Sequence, residues 1–480
     1  MDIQKQRNVT QRSTFVQILL GLIVNFSSLS PSMSLGFSAV ALPYLLDASN
    51  PHRLTEDEAS WFASLASIAS VAAPLGCFLS GPISDRFGRK PAIQSVNVFC
   101  LLGWTAITFA YYSPGHQYRL LLVGRFFTGL STGLSSMPAT VYMAEISTAK
   151  LRGMLITWNA LCFSLGVVVI YILGWTMTSN WGMIAALSGA FPCANVVMVM
   201  IYMVESPSWL ITKNRHEDAK ASLLRLFNSK SHPLEIREEI ETLTCDTRRT
   251  KADHQLRYFA EPAIYRPFIL MSAFFVFQQV SGTFVIVFYA IDIVNEAQIS
   301  IDPYLAIVII AATRSVASVI VSVASRRLGR RPLSITSGVG MTLCMVMLSA
   351  YVACVQRKII DHHDWLPLTL LMAYFFTATL GFLTIPFAMS AEVFPSTIRG
   401  LATGMVSSMG YICCFVMVKI YPDMLSVMGI YPLFIFYAAM SAIGTIFVML
   451  CLPETKGRTL SEIESYFSVQ KPGTELVALA

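Results

Sequence analysis

The sequence predicts an all-α membrane protein: twelve transmembrane helices in two parallel-repeat six-helix bundles, with short cytosolic helices between them. Three observations carry this reading. First, the 480-residue chain is 55% hydrophobic and only 13% charged, with a mean hydropathy of +0.60. A soluble domain could not cover so much apolar surface, whereas lipid accepts it. Second, its charges gather between apolar runs of about 20 residues, the length that crosses a bilayer. Third, three unrelated phrases recur half a chain later. Gly88-Arg89-Lys90 returns as Gly329-Arg330-Arg331, Ala144-Glu145 with Arg152-Gly153 returns as Ala391-Glu392 with Arg399-Gly400, and Glu205-Ser206-Pro207 is matched at Glu454-Thr455. The offsets are about 241, 247 and 249 residues. One unit was therefore duplicated in the same orientation, and parallel repeats in a membrane protein form two bundles around a shared midplane site.

Residues 1–14 read as a polar N-terminal tail with Lys5, Arg7 and Arg12. The apolar run after it is too long for a signal-peptide core and reads as a retained first helix. Spans near 15–40, 61–83, 91–112, 119–143, 154–178 and 183–204 make the first bundle, 15–204. Residues 205–265 are the one long polar insert. Within it Glu217 to Phe227 and Pro233 to Leu243 have apolar residues at helical spacing, as expected of amphipathic helices on the cytosolic face. Spans near 266–291, 303–325, 332–354, 366–390, 400–421 and 429–452 make the second bundle, 266–452, and 453–480 is the C-terminal tail.

Orientation follows from the cations. Roughly 27 of the 34 lysines and arginines fall in the two tails and the even-to-odd connections, and about five in the opposite connections, which places both termini in the cytosol. The net charge of +6 is thus a topology signal and not a nucleic-acid footprint; no basic motif resembles a nucleic-acid reader. The ten cysteines are scattered without a metal-like pair and read as small packing residues, so no metal site is expected. There is no phosphate loop, no His-Glu-x-x-His and no nucleophile elbow, so neither ATP hydrolysis nor another enzymatic reaction has residues to rest on. No cofactor is expected, and no motif demands an obligate protein partner; the partners expected are a small-molecule solute and the bilayer.

The phrases Gly81 to Lys90, Gly124-Arg125-Phe126, Glu145 to Gly153, Glu205 to Leu210, Gln278-Gln279-Val280-Ser281-Gly282, Glu392 to Gly400 and Pro453 to Gly457 arrive in order along the chain. Together they resemble the sugar porter family of the major facilitator superfamily. Leu54-Thr55-Glu56 with Ser60-Trp61 is similar to its insect trehalose-transporter-like branch, a softer match. The resemblance implies the major facilitator fold and sugar transport (a hexose, trehalose or a related polyol) by alternating access in the plasma membrane. Two other readings stay open: a carrier for a non-sugar solute such as an organic anion, and a nutrient receptor that binds without net flux.

The charged phrases make sense as a cytosolic gate. Asp85 with Arg86 and Arg89, Glu145 with Arg152, Glu205, Glu392 with Arg399, and Glu454 each lie at a span end near basic residues. Paired across the two halves, they would hold that end shut. Single surface pairs contribute about 0–1 kcal/mol, but a network biases a two-state equilibrium by a few. One copy departs from the repeat: Asp85 has Arg326 as its counterpart, so Arg326 and Arg330 must take a carboxylate from elsewhere, with Glu392 and Glu454 as candidates.

For the substrate site, Gln278, Gln279, Gly282, Ile286 and Tyr289 step along one helical face of the seventh span. Buried amides need partners, and each offers two donors and an acceptor. The residues alone allow either helix–helix glue or a cavity lining; the resemblance implies that this glutamine pair binds sugar. Other positions depart from the family's sugar contacts. A fifth-span glutamine position is Ala160, an asparagine position past Gly282 is Phe284, the eighth-span asparagine position is Arg314, the tenth-span tryptophan position is Phe387 and the eleventh-span asparagine position is Gly410. Arg314 is the oddity, because a guanidinium in mid-span costs roughly 2.5–3.5 kcal/mol. It reads as a structural pair with a neighbouring helix, as a cavity donor, or as a side chain reaching an interface. Proton-coupled members of the family carry an aspartate in the first span, where this chain has Gly36-Phe37-Ser38-Ala39, and no carboxylate stands in mid-span. Facilitated diffusion is therefore the expected mode.

Overall fold

The computed structural model describes residues 2–46, 56–147, 149–177, 180–227, 261–296, 301–360, 365–394, 398–456 and 460–469. Within them the chain is helical, with no strand among the described residues. Ten helices are long and apolar enough to cross a membrane. The fourth and seventh spans of the sequence reading are not among these ten, and each is broken into shorter pieces. The fourth runs as Gln117–Leu134 and Pro138–Ile146, the seventh as Pro262–Val280, Thr283–Phe288 and Ala290–Glu296. The first and tenth spans are broken too: Asp2–Asn25 passes through a short 3-10 turn into Leu29–Leu46, and Trp365–Leu380 is followed by Ile385–Val393.

Local chemistry explains the breaks. Pro138 and Pro386 lack the amide that would continue the helix and so open new ones. Gly282 adopts φ +89°, a left-handed conformation that a side chain disfavours, and an added Cβ there would lie 2.8 Å from the Tyr437 ring. The remaining spans are continuous: Glu56–Phe87, Arg89–Tyr112, Ala149–Thr176, Trp181–Tyr202, Pro303–Arg327, Arg330–Gln356, Arg399–Met428 and Ile430–Cys451. Of the two amphipathic helices expected in the insert, the first forms as His216–Phe227, beside a short Pro207–Thr212; Pro233 to Leu243 lies outside the described residues.

Helices of each sequence repeat pack mainly among themselves, third on fourth and sixth in one half, ninth on tenth and twelfth in the other. The halves meet where the second span lies along the eleventh, the fifth along the eighth, and the first against the seventh. Large apolar side chains such as Phe78, Phe109, Met200, Ile201, Val323 and Leu450 stay exposed around the outside. So broad an apolar surface suits lipid and not water. Between the second and fourth spans the backbones nearly touch: a Cβ on Gly133 would run into the Ala73 carbonyl, and one on Gly129 into Ala69. Small residues at one-turn spacing allow this approach, which supplies dispersion contact where no hydrophobic drive exists.

At the end bearing both termini, each half carries the same charged cage. Arg89 Nη2 lies 2.6 Å from Glu145 Oε1 and its Nη1 3.0 Å from Asp85 Oδ1. Glu205 accepts from the backbone amides of Arg89 and Lys90 at 2.8 and 3.2 Å. In the second half Arg330 Nη2 lies 2.7 Å from Glu392 Oε1, and Glu454 accepts from the amides of Arg330 and Arg331 at 2.9 and 3.0 Å. Glu205 and Glu454 thereby satisfy the first free amides of the third and ninth spans and face their positive dipole ends. Glu392 and Glu454 together occupy the role that Asp85, Glu145 and Glu205 fill in the first half. These pairs, among the described residues, join residues of the same half, since Arg89 and Glu145 leave neighbouring spans of one bundle. The halves approach each other here at Gly81 and Gly400: an added Cβ on Gly81 would lie 2.8 Å from the Gly400 carbonyl, and one on Gly400 3.0 Å from Asp85 Oδ2. Arg86 is exposed, 5.6 Å from the Phe87 ring centroid. The side chains of Arg152, Arg326 and Arg399 lie outside the described residues.

Two outcomes are expected. Gly133→Ala should destabilise the protein by about 1–3 kcal/mol through overpacking, read as a lower unfolding midpoint in detergent. Gly115→Ala, where nothing lies within 4 Å of an added Cβ, is the control and should leave the midpoint in place. In the same assay Glu145→Gln and Glu392→Gln should each cost about 1–3 kcal/mol, since each weakens a charge-assisted bond to a largely buried arginine. Asp85→Asn should cost under about 1 kcal/mol, its carboxylate being 49% exposed. Equal effects for all three would contradict this account of the cages.

Candidate functional site

The broken helices converge on a cavity between the halves. Its volume is about 60 Å³, and it is lined by Ser135, Ser136 and Thr140 around the fourth-span break, and by Ile156, Thr157, Asn159, Ala160 and Phe163 of the fifth span. From the other half come Phe284, Arg314, Ser318, Thr379, Leu383, Thr384, Phe387, Ala388 and Tyr411. No aspartate or glutamate lines it. A second, apolar cavity of about 20 Å³ lies beyond it, walled by side chains such as Val167, Tyr171, Ile286 and Phe375, and Arg314 borders both.

Most of the hydroxyls have already spent their protons. Ser135 donates to Thr132 O, Thr157 to Met154 O, Ser318 to Arg314 O and Thr379 to Phe375 O. Their oxygens keep lone pairs, so they can accept from a solute hydroxyl. The open donors are few. Asn159 Nδ2 is buried without a hydrogen-bond partner among the described residues, while the Ser136 hydroxyl faces the Cys77 thiol. Arg314 is 6% exposed, and its guanidinium lies 5.8 Å from the Phe163 ring centroid. Its side chain borders the cavity together with Tyr411.

The structure divides the other expected substrate residues. Phe387 lines the cavity together with Arg314, and so do Ala160 and Phe284, two more of the positions that depart from the family's pattern. Gln278, Gln279, Gly282 and Tyr289 do not line it. Gln278 Nε2 donates to the Phe382 and Leu383 carbonyls at 2.7 and 3.3 Å, and Gln279 Nε2 donates to Gln278 Oε1 at 3.2 Å. The pair thus ties the seventh span to carbonyls that the tenth-span break sets free. Tyr289 donates to Val418 O at 3.4 Å and stacks on Tyr421 with centroids 4.6 Å apart.

Sequence reasoning missed the residues at the breaks and Asn159. A signal was present: Pro138 and Pro386 repeat at an offset of about 248 residues, within the spread of the three duplicated phrases. In the first half Arg125, 2% exposed, donates to the Ser34 carbonyl and to the Ser34 and Ser38 hydroxyls. Ser38, in the first-span stretch where the resemblance implies an aspartate in proton-coupled members, thus sits directly against a buried cation. Across the halves, Ser164 and Ser315 hydroxyls lie 2.9 Å apart, and on the side away from the termini Tyr171 donates to Val287 O at 2.9 Å.

Residues 15–467 match the Sugar (and other) transporter family. Over 458 residues the chain is 29% identical to the facilitated trehalose transporter Tret1-2 homolog of Drosophila simulans, a match covering 94% of this chain and 91% of that protein. Over 461 residues it is 30% identical to solute carrier family 2, facilitated glucose transporter member 8, of Mus musculus, covering 92% of each. It shares its fold with the proton:xylose symporter XylE bound to 6-bromo-6-deoxy-D-glucose, at a TM-score of 0.81 and 18% identity over 95% of this chain and 100% of that one. The inward-open xylose transporter XylE from E. coli gives 0.74 at 19% identity, over 94% and 99%. Broken helices around a central cavity, a duplicated charged cage and a match along nearly the whole length lead to one conclusion: the chain belongs to the Sugar (and other) transporter family, multi-pass membrane carriers of the major facilitator fold and not enzymes.

Proposed function

We propose that the protein carries a sugar across the membrane by alternating access, as facilitated diffusion. The observation that carries this reading is the cavity between the halves, walled by hydroxyl acceptors and a few open donors contributed from both repeats. One water needs about 10–15 Å³ on the scale of this cavity, so it takes about four to six waters, roughly the displacement of one sugar ring. That supports a monosaccharide-sized solute. The bodies that rock are the two bundles, 15–204 and 266–452, joined by 205–265. The described ion pairs Arg89–Glu145 and Arg330–Glu392 each lie within one half, so the bundles can tilt without breaking those two. Solute bound between them lowers the barrier only if it binds the intermediate arrangement better than either open one.

Two features support uncoupled transport. No carboxylate lines the cavity, and Arg125 faces Ser34 and Ser38 with no titrating group on the first span there. We place both termini in the cytosol on the strength of the lysine and arginine distribution, and the protein in the plasma membrane on the strength of the family resemblance alone.

In transporter-deficient cells, radiolabelled monosaccharide should enter to the equilibrium level, saturably, and a protonophore should leave the rate unchanged. Concentrative uptake driven by an imposed pH gradient would overturn the uncoupled mode. If the protein reaches the surface and no sugar of a broad panel enters or competes, the sugar reading itself fails. Epitope tags at either terminus should be reached by antibody only after permeabilisation, while a tag between residues 361 and 364 should be reached on intact cells; the reverse pattern would invert the topology.

A further inference from the structure

The central cavity holds one full positive charge and no opposite one. Arg314 sits at the boundary of the two cavities, 6% exposed, and its guanidinium forms no hydrogen bond or ion pair with a described residue. A guanidinium carries five donors and no acceptor, and it stays charged at every physiological pH. Burying one without a counter-charge is unfavourable unless something returns the lost hydration. On the facing fifth span Asn159 Nδ2, a second buried donor without a partner among the described residues, also lines this cavity.

We propose that the solute is a sugar acid, a polyhydroxylated monoanion whose carboxylate seats against Arg314 and Asn159; this rests on the sugar-carrier reading and narrows it. A carboxylate matches the planar fork in two parallel bonds, and charge-assisted bonds of this kind are roughly twice as strong as neutral ones. The hydroxyls of Thr157, Ser318 and Thr379, whose protons go to their own helices, then accept from the ring hydroxyls. A single cation in the lining selects a single negative charge, because a second would be buried unpaired. A simple inorganic anion would leave the hydroxyl acceptors unused. The anionic group does not belong in the second cavity, whose wall is apolar apart from Arg314 and Tyr171, the latter already bonded to Val287 O.

The test uses the full chain in proteoliposomes, with radiolabelled glucuronate and its neutral counterpart glucose. Glucuronate should compete against glucose uptake at a concentration at least tenfold below that of unlabelled glucose. Its entry should rise several-fold with an inside-positive potential set by valinomycin and potassium, because a net charge crosses with each solute. Arg314→Gln should lower the ratio of glucuronate to glucose uptake at least tenfold, and Arg314→Lys should lower it as well, since an ammonium cannot reproduce the fork. Asn159→Ala, checked for intact folding by its unfolding midpoint, should lower the same ratio several-fold and serves where the arginine variants do not fold. Glucose carried while glucuronate neither enters nor competes would overturn the sugar-acid assignment and leave the sugar carrier standing. Failure of both solutes, and of other sugars and sugar acids, to enter or compete would remove the sugar carrier together with it. Glucuronate uptake with an unchanged ratio in the folded variants would also overturn the assignment, since Arg314 would then not be its receptor.

Discussion

Inside a bilayer every backbone amide and carbonyl must find a partner within the protein, and most features of this chain follow from that constraint. An unbroken helix satisfies it automatically, and eight of the spans are unbroken. The first, fourth, seventh and tenth are not, and their loose ends are taken up by specific groups. Gln278 closes the carbonyls at Phe382 and Leu383, the Ser337 hydroxyl accepts from the Phe382 amide, and Tyr374 donates to the Ser281 carbonyl. Irregular backbone at membrane depth is tolerated only where protein or a cavity surrounds it, so the breaks and the cavity imply one another.

The repeat makes the two halves alike, and function sits where they differ. At the end bearing the termini they remain nearly equivalent, with an arginine on a carboxylate and a glutamate on two helix-start amides in each. The network therefore stabilises each bundle, and the approach of Gly81 to Gly400 joins them. Around the cavity the likeness ends. The first half buries Arg125 against Ser34 and Ser38, whereas the second presents Arg314 to open space. The same residue type is structural in one setting and available in the other because only one of them has partners on its own side.

Much of the fold was legible in the sequence. Apolar run length, the bias of lysine and arginine and the repeat offsets needed no long-range information, and they gave span count, pairing and class. The site was legible only in part. Arg314 and Phe387 stood out as departures from a pattern, and both line the cavity. Gln278 and Gln279 were legible as a buried amide pair but not in their partners: Gln278 reaches a carbonyl about a hundred residues away, while Gln279 Oε1 is buried with no partner among the described residues. The carbonyl that Gln278 reaches becomes available only through the tenth-span break, and which distant side chain takes it up is decided by tertiary packing. Asn159 was illegible for the opposite reason: a single polar residue on a span is ordinary, and only the fold leaves its donor unmet among the described residues.

The departures from the family's sugar contacts have a common direction. Ala160, Phe284 and Phe387 leave fewer polar side chains in the wall, while Arg314 adds a charge. Removing neutral partners lowers the local polarity, and lower polarity strengthens any electrostatic contact that remains. Each change thus makes the arginine count for more. A wall with one strong donor and many weak acceptors discriminates by charge first and by hydroxyl pattern second. An uncharged hexose can still enter such a cavity, but it leaves the guanidinium without a counter-charge, and that unmet demand is what sets one solute apart from another here.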